Sequence, residues 1–230
     1  GAFLDILEKT NADMVCADHC CVDHETGQKK EEKTNVAPCM DVPFSSVCNQ
    51  LTVAMHNVTY RTDILQKNNI HLDNCFYTDA EYLLYPIPYV KTVTVAPQTI
   101  YMYRVSLSTQ SMNINSLQRN CAMHELVLGH LSDAYAAYEN SGTSEPKTAA
   151  FLRRNIARIA GMQLFIYLTA TDSKAAKQSA KAMVKTIKGK SETLYTELNG
   201  AKSFKMLTST NFLLFPVLAS MKKREVGANG

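Results

Sequence analysis

One helical stripe fixes the character of the back half of this chain. Leu117, Cys121, His124, Leu128, Leu131, Tyr135 and Tyr138 recur at steps of four and three, the spacing that puts side chains on one face of an α-helix. Asn140-Ser141-Gly142 ends the stripe, because glycine accepts the left-handed backbone that closes a helix. Glu145-Pro146 opens a second helix running to about Thr169, with proline in the first turn, where its missing N–H has no partner to lose. Thr171-Asp172-Ser173 starts a third. On it Lys174, Lys177, Lys181, Lys185 and Lys188 share one face, opposite Ala176, Ala180, Met183 and Ile187. Short helices are predicted near 192–198 and 212–220.

Upstream of about residue 112 the pattern changes. Residues 2–9 read as an amphipathic helix with Phe3, Leu4, Ile6 and Leu7 on its apolar side. Residues 12–23 read as an extended segment, Glu25-Thr26-Gly27 as a turn, and 29–33 as a solvated loop or edge strand. A buried strand is predicted within 51–60, and a helix from Ile64 capped by Thr62-Asp63. Thr78 caps a helix over 79–85, which Pro86-Ile87-Pro88 stops. The β-rich runs 89–96 and 99–105 flank Pro97-Gln98 and read as a hairpin. The fold class expected is therefore mixed α/β over residues 1–112, followed by an α-helical region over 113–230.

Composition narrows the function classes. Hydrophobic residues at 46% against charged residues at 20% exclude global disorder. A net charge of +3 is too small to imply nucleic acid, and no nucleic-acid partner is expected. The distribution says more: residues 151–230 hold 14 Lys/Arg against four Asp/Glu, and residues 1–150 hold 10 against 17. The seven cysteines are odd in number and the opening Gly1-Ala2-Phe3-Leu4-Asp5 has no basic segment leading an apolar one. A reducing cytoplasmic setting with free thiols is the expectation. The start without Met reads as the edge of a longer protein. The longest apolar run, 159–170, is broken by Gln163 and falls short of the ~20 residues of a membrane span.

Three clusters carry chemistry. Cys16-x-x-His19-Cys20-Cys21-x-x-His24 holds five zinc-ligand types, and a zinc-binding interaction module is one reading. On a strand, however, Cys16, Cys20 and His24 face one way and His19 and Cys21 the other, which favours buried thiols and no metal. His124, on an apolar stripe, reads as a satisfied core residue, and His56 and His71 show no partner pattern. The lysine face from Lys174 to Lys188 is either a solvated surface or a contact for an anionic membrane or a phosphate-bearing ligand, although that helix lacks the large apolar residues of a deep interfacial anchor. Asp79 and Glu81 open a predicted helix, whose N-terminal partial charge favours carboxylates. Asp79 is a candidate general base, or a simple N-terminal charge preference.

The order of segments resembles a known family. Asn57-Val58-Thr59-Tyr60-Arg61-Thr62-Asp63-Ile64-Leu65 precedes Asn69-Ile70-His71-Leu72, then Tyr77-Thr78-Asp79-Ala80-Glu81-Tyr82, Ile100-Tyr101-Met102-Tyr103-Arg104 and Gln110-Ser111-Met112. This is similar to the acceptor-side half of family 2 glycosyltransferases of the GT-A fold, over roughly residues 2–113. The resemblance implies an inverting enzyme of bacterial surface-polysaccharide synthesis, at the cytoplasmic face of a membrane. It implies a nucleotide-sugar donor and a saccharide or lipid-linked acceptor. Asp79 aligns with the family's base, while Thr78 stands where the family usually has Glu. Tyr103, Arg104 and Ser111 would bind substrate, Arg104 meeting donor phosphates or forming a structural salt bridge. Tyr101 would face the same side as Tyr103. The divalent metal (Mg or Mn) belongs to an Asp-x-Asp half expected upstream of residue 1. The chain alone would then hold no metal and be inactive. Half a sheet leaves open strand edges, so a homodimer is expected.

Overall fold

The computed structural model of the chain describes residues 1–107 and 110–228. In chain order the elements are α1 (Ala2–Lys9), β1 (Met14–Asp23), β2 (Lys29–Glu32), β3 (Cys39–Pro43), α2 (Phe44–Val47), β4 (Val58–Tyr60), α3 (Thr62–Lys67), α4 (Asp79–Leu84) and β5 (Thr92–Val105). Helices follow: α5 (Ile114–Arg119), α6 (Cys121–Glu139), α7 (Pro146–Thr169), α8 (Ser173–Lys190), α9 (Glu192–Asn199), α10 (Lys202–Ser209) and α11 (Phe215–Ala228). Short 3-10 turns occupy Met55–Asn57 and Ile87–Tyr89. The architecture is mixed α/β with a helical C-terminal region. The chain divides into two compact units, Gly1–Asn113 with Gly142–Phe151, and Ile114–Ser141 with Leu152–Gly230.

The first unit is built on a mixed sheet of order β2-β1-β5-β3, with β4 also paired to β1. β1 and β5 run parallel; β2 and β4 join β1, and β3 joins β5, antiparallel. Met14, Val15, Cys16 and Ala17 of β1 and Val93, Thr94, Val95 and Ala96 of β5 are all buried. Such continuous burial marks strands covered on both faces. Further along, burial gives way to alternation, and Tyr101 and Met102 are exposed. The parallel pair is thus sealed where its strands begin and open where they end.

The 89–96 and 99–105 runs do not form a hairpin. They are one strand, both halves of which pair parallel with β1, from Met14↔Val93 to Asp23↔Val105. Pro97 cannot donate to a ladder, and the register shifts between Cys16 and His19 absorb the extra residues of β5 as bulges. The strand expected within 51–60 shrinks to Val58–Tyr60, because residues 55–57 coil into a turn held by Asn57 Oδ1, which accepts the Ala54 N–H at 2.7 Å.

Asp13 fastens the start of the sheet. It is buried and accepts the N–H groups of Lys91 (2.7 Å) and Thr92 (3.1 Å), with Arg61 Nη2 at 3.3 Å. Phe44 packs edge-on against Phe151, ring centroids 5.2 Å apart.

The second unit is helical. The stripe from Leu117 to Tyr138 spans two helices, because Asn120 leaves helical geometry at φ −102°, ψ 18°. Its backbone still bonds both ways, N–H to Ser116 at 2.9 Å and carbonyl from His124 at 3.2 Å. His124 is buried, as expected of a core residue, and Nδ1 lies 2.7 Å from Gln163 Oε1. Gly142 takes φ +74° just past α6, the left-handed position its sequence signal required. Asp172 caps α8, accepting N–H groups of Lys174 and Ala175, each at 3.0 Å. Ser191 caps α9 through the Leu194 N–H at 3.1 Å. Among the described residues no helix is long and apolar enough to cross a membrane.

Candidate active site

Asp79 begins α4, and two tyrosines fix that helix to the sheet. Tyr82 donates its hydroxyl to the Val58 carbonyl at 3.2 Å, and Tyr60 donates to Leu83 at 2.7 Å. The two rings meet edge-on with centroids 5.5 Å apart. Burial pushes both phenols above their ordinary range, most strongly Tyr60, so they stay protonated donors. Because β4 pairs with β1, the position of Asp79 is tied to the centre of the sheet.

The two carboxylates of α4 have opposite surroundings. Glu81 is fully buried and accepts the Asp73 N–H at 2.9 Å and the Tyr85 hydroxyl at 3.0 Å. Asp79 is exposed to solvent. The segment leading to it is strained: Tyr77 sits at φ +72°, a left-handed conformation that bulky residues rarely adopt. Its hydroxyl donates to the Ser111 carbonyl at 3.1 Å. The approach to Asp79 and the segment around Ser111, 34 residues apart, are therefore joined.

Tyr103 belongs to a different cluster. Tyr101 and Tyr103 lie on one face of β5, and both rings stack on His56, at 5.2 Å and 4.8 Å between centroids. His56 in turn meets His19 of β1 edge-on at 4.2 Å. His19 Nδ1 and His56 Nε2 are buried with no hydrogen-bond partner among the described residues. Burial pushes the His19 imidazole down, against the opposing pull of Glu32 and Asp18. His56 is pushed down by burial and by His19 itself. Arg104 is exposed, with no carboxylate in ion-pair distance among the described residues. Sequence reasoning singled out Tyr103 but assigned nothing to His56, since no local spacing links residues 19, 56 and 101.

The cysteine cluster lies on β1, where neighbours rather than alternate residues are buried, Cys16 beside Ala17 and His19 beside Cys20. Cys16 is fully buried, and burial pushes its thiol up to about 12. Cys20 donates weakly to the Cys21 carbonyl at 3.6 Å, and His19 turns to His56. Within the first unit, no three His, Cys, Asp or Glu groups among the described residues converge at ligand spacing. Nearby carboxylates have other duties: Asp18 holds Lys33 at 3.0 Å and the Thr34 N–H at 2.9 Å, and Asp23 binds Ser106 and Thr26. Hydrogen bonds from those two residues hold Asp23 down to about 2.

No protein-family model matches the chain, and no curated protein is similar to it.

Proposed function

We propose that the chain is the acceptor-side part of an inverting glycosyltransferase with a GT-A-like fold, acting at the cytoplasmic face of a membrane. The observation that carries the reading is the setting of Asp79. Its carboxylate stands in solvent two residues after the strained Tyr77, whose hydroxyl tethers this turn to Ser111. Backbone strain of this kind costs about 1–3 kcal/mol and collects at sites that need a fixed geometry.

In this reading a nucleotide-sugar donor meets a hydroxyl of a saccharide or lipid-linked acceptor. Asp79 takes the proton of the acceptor hydroxyl. The oxygen attacks the anomeric carbon from the face opposite the diphosphate. The bond from that carbon to the diphosphate breaks, and its electron pair leaves with the diphosphate oxygen. Arg104, exposed and without a carboxylate partner among the described residues, supplies charge-assisted hydrogen bonds to donor phosphates. Ser111, beside the Tyr77 tether, and Tyr103, stacked on His56, line the substrate side. A divalent Mg or Mn, which the resemblance places on residues upstream, would stabilise the departing diphosphate.

Asp79→Asn in the full-length enzyme tests the assignment. Loss of a general base lowers transfer about 10²–10⁴-fold, while donor binding by calorimetry stays unchanged. Turnover retained at the parental rate would overturn it.

A further inference from the structure

In the second unit, α10 and α11 are joined by a strained turn in which consecutive residues, Asn211 and Phe212, take φ +48° and +63°. The turn sends Phe212 inward and Leu213 outward. Phe212 and Phe215 are buried, whereas Leu213 is 75% exposed, Val217 55% and Met221 54%, with Leu214 beside them. Val217 and Met221 are four apart and share one face of α11, and Leu213 lies in the turn just before that helix. A lone exposed leucine is ordinary. Several large apolar side chains exposed together mark a contact surface.

The flanks of this group are basic. Lys181 of α8 lies 5.9 Å from the Phe212 ring, and Lys223 of α11 donates to Ser173 of α8 at 3.0 Å. Both ends of the 212–223 segment therefore meet the lysine-bearing helix. α8 carries six lysines and no acidic residue, and the one carboxylate of α11, Glu225, is taken by Lys222 at 2.6 Å. Lys174 and Arg224 remain exposed. α8 buries its own large apolar side chains, Met183, Val184 and Ile187, and the exposed ones are supplied by α11 and the turn before it.

We propose that the Leu213–Val217–Met221 group docks on an anionic lipid bilayer, with the basic residues of α8 and α11 against the headgroups. Aliphatic side chains next to a cationic flank are the composition of an interfacial helix. A second copy of the chain fits less well, since a two-fold contact through this group would bring lysine against lysine. A protein groove would be met more often through Trp or Tyr anchors. The inference is independent of the glycosyltransferase reading.

The test is co-sedimentation of the intact chain with phosphatidylcholine vesicles, with and without phosphatidylglycerol. The chain is expected to sediment with the anionic vesicles only, and to be released by salt. Leu213→Asp/Val217→Asp lowers partitioning by roughly tenfold or more. Lys174→Gln and Arg224→Gln each lower it about fivefold. All these positions are exposed, so circular dichroism and melting should match the parent. Absence of sedimentation, or equal binding by Leu213→Asp/Val217→Asp, overturns the proposal. So does a dimer in sedimentation velocity that this double variant dissociates.

Discussion

The two units differ in how their polar clusters are satisfied. In the second, Glu139 at the end of α6 gathers the hydroxyls of Ser191 (2.7 Å), Thr193 and Tyr135 (3.0 Å), and Arg153 Nη1 reaches the Tyr135 oxygen at 3.0 Å. Burial alone would raise the Glu139 carboxyl, but those hydrogen bonds outweigh it and hold it below its ordinary value. In the first, His19 Nδ1 and His56 Nε2 have no partner among the described residues, as Asn120 Nδ2 has none in the second, and five non-glycine residues, Asn35, Asp41, Asn69, Tyr77 and Ser106, adopt positive φ against Asn211 and Phe212 in the second. Unpaired polar atoms and strained backbone are costly wherever they occur. Positive φ is more frequent in the sheet unit, while unpaired buried atoms occur in both units.

The largest expected effect belongs to the packed unit. Phe204 of α10 is 1% exposed, and removing a buried aromatic side chain costs about 3–5 kcal/mol. Phe204→Ala should move the urea midpoint of the second unit down by a corresponding amount. A change below about 1 kcal/mol would mean that the helices close around the cavity and that this core is less specific than its burial implies.

Legibility in the sequence divides along the same line. The α7 boundaries and the Asp172 cap of α8 were readable because their signals, proline in the first turn and a capping carboxylate, are local. The α11 surface was half readable. Its lysine-rich neighbour showed plainly in the spacing, but the apolar group was hidden, because Phe212 and Leu213 look alike until the turn sends one in and one out. Pro97-Gln98 is a turn signal in isolation, and only pairing with β1 keeps β5 continuous through it. His56 gave no signal at all. Its neighbours lie 37 and 45 residues away, and only sheet register and a 3-10 turn bring them together.

That histidine cluster offers the next test. Both imidazoles are neutral when buried, with folded values below the ordinary 6.5. The unfolded chain then binds protons first as the pH falls. The stability this neutrality gives is complete above about 6.5 and is lost progressively as pH drops through the folded values. The groups facing the pair are Glu32, Asp18, Tyr101 and Tyr103. His56→Phe removes one titrating group and one unpaired nitrogen. It should keep the parent's stability at neutral pH, or gain about 1 kcal/mol, and flatten the decline between pH 6.5 and 5, read by urea denaturation across that range. A variant that is strongly destabilised at neutral pH would show that the Nε2 atom has a partner in solution, and the histidine cluster would then be as well satisfied as the one around Glu139.

The smallest effect is at the α8 cap. Asp172 accepts two backbone N–H groups that would otherwise face water at the helix start. Asp172→Ala should cost about 1 kcal/mol, and Asp172→Asn much less, since the amide oxygen still accepts. Thermal melts of the two variants resolve the difference. The cap also bears on the lipid contact, because Lys223 reaches Ser173, the first residue of this helix. If Asp172→Ala weakens vesicle binding while Asp172→Asn does not, the cap holds Ser173 and Lys223 in register for the headgroups. Equal binding by both would leave the cap with a purely local part in holding α8 together.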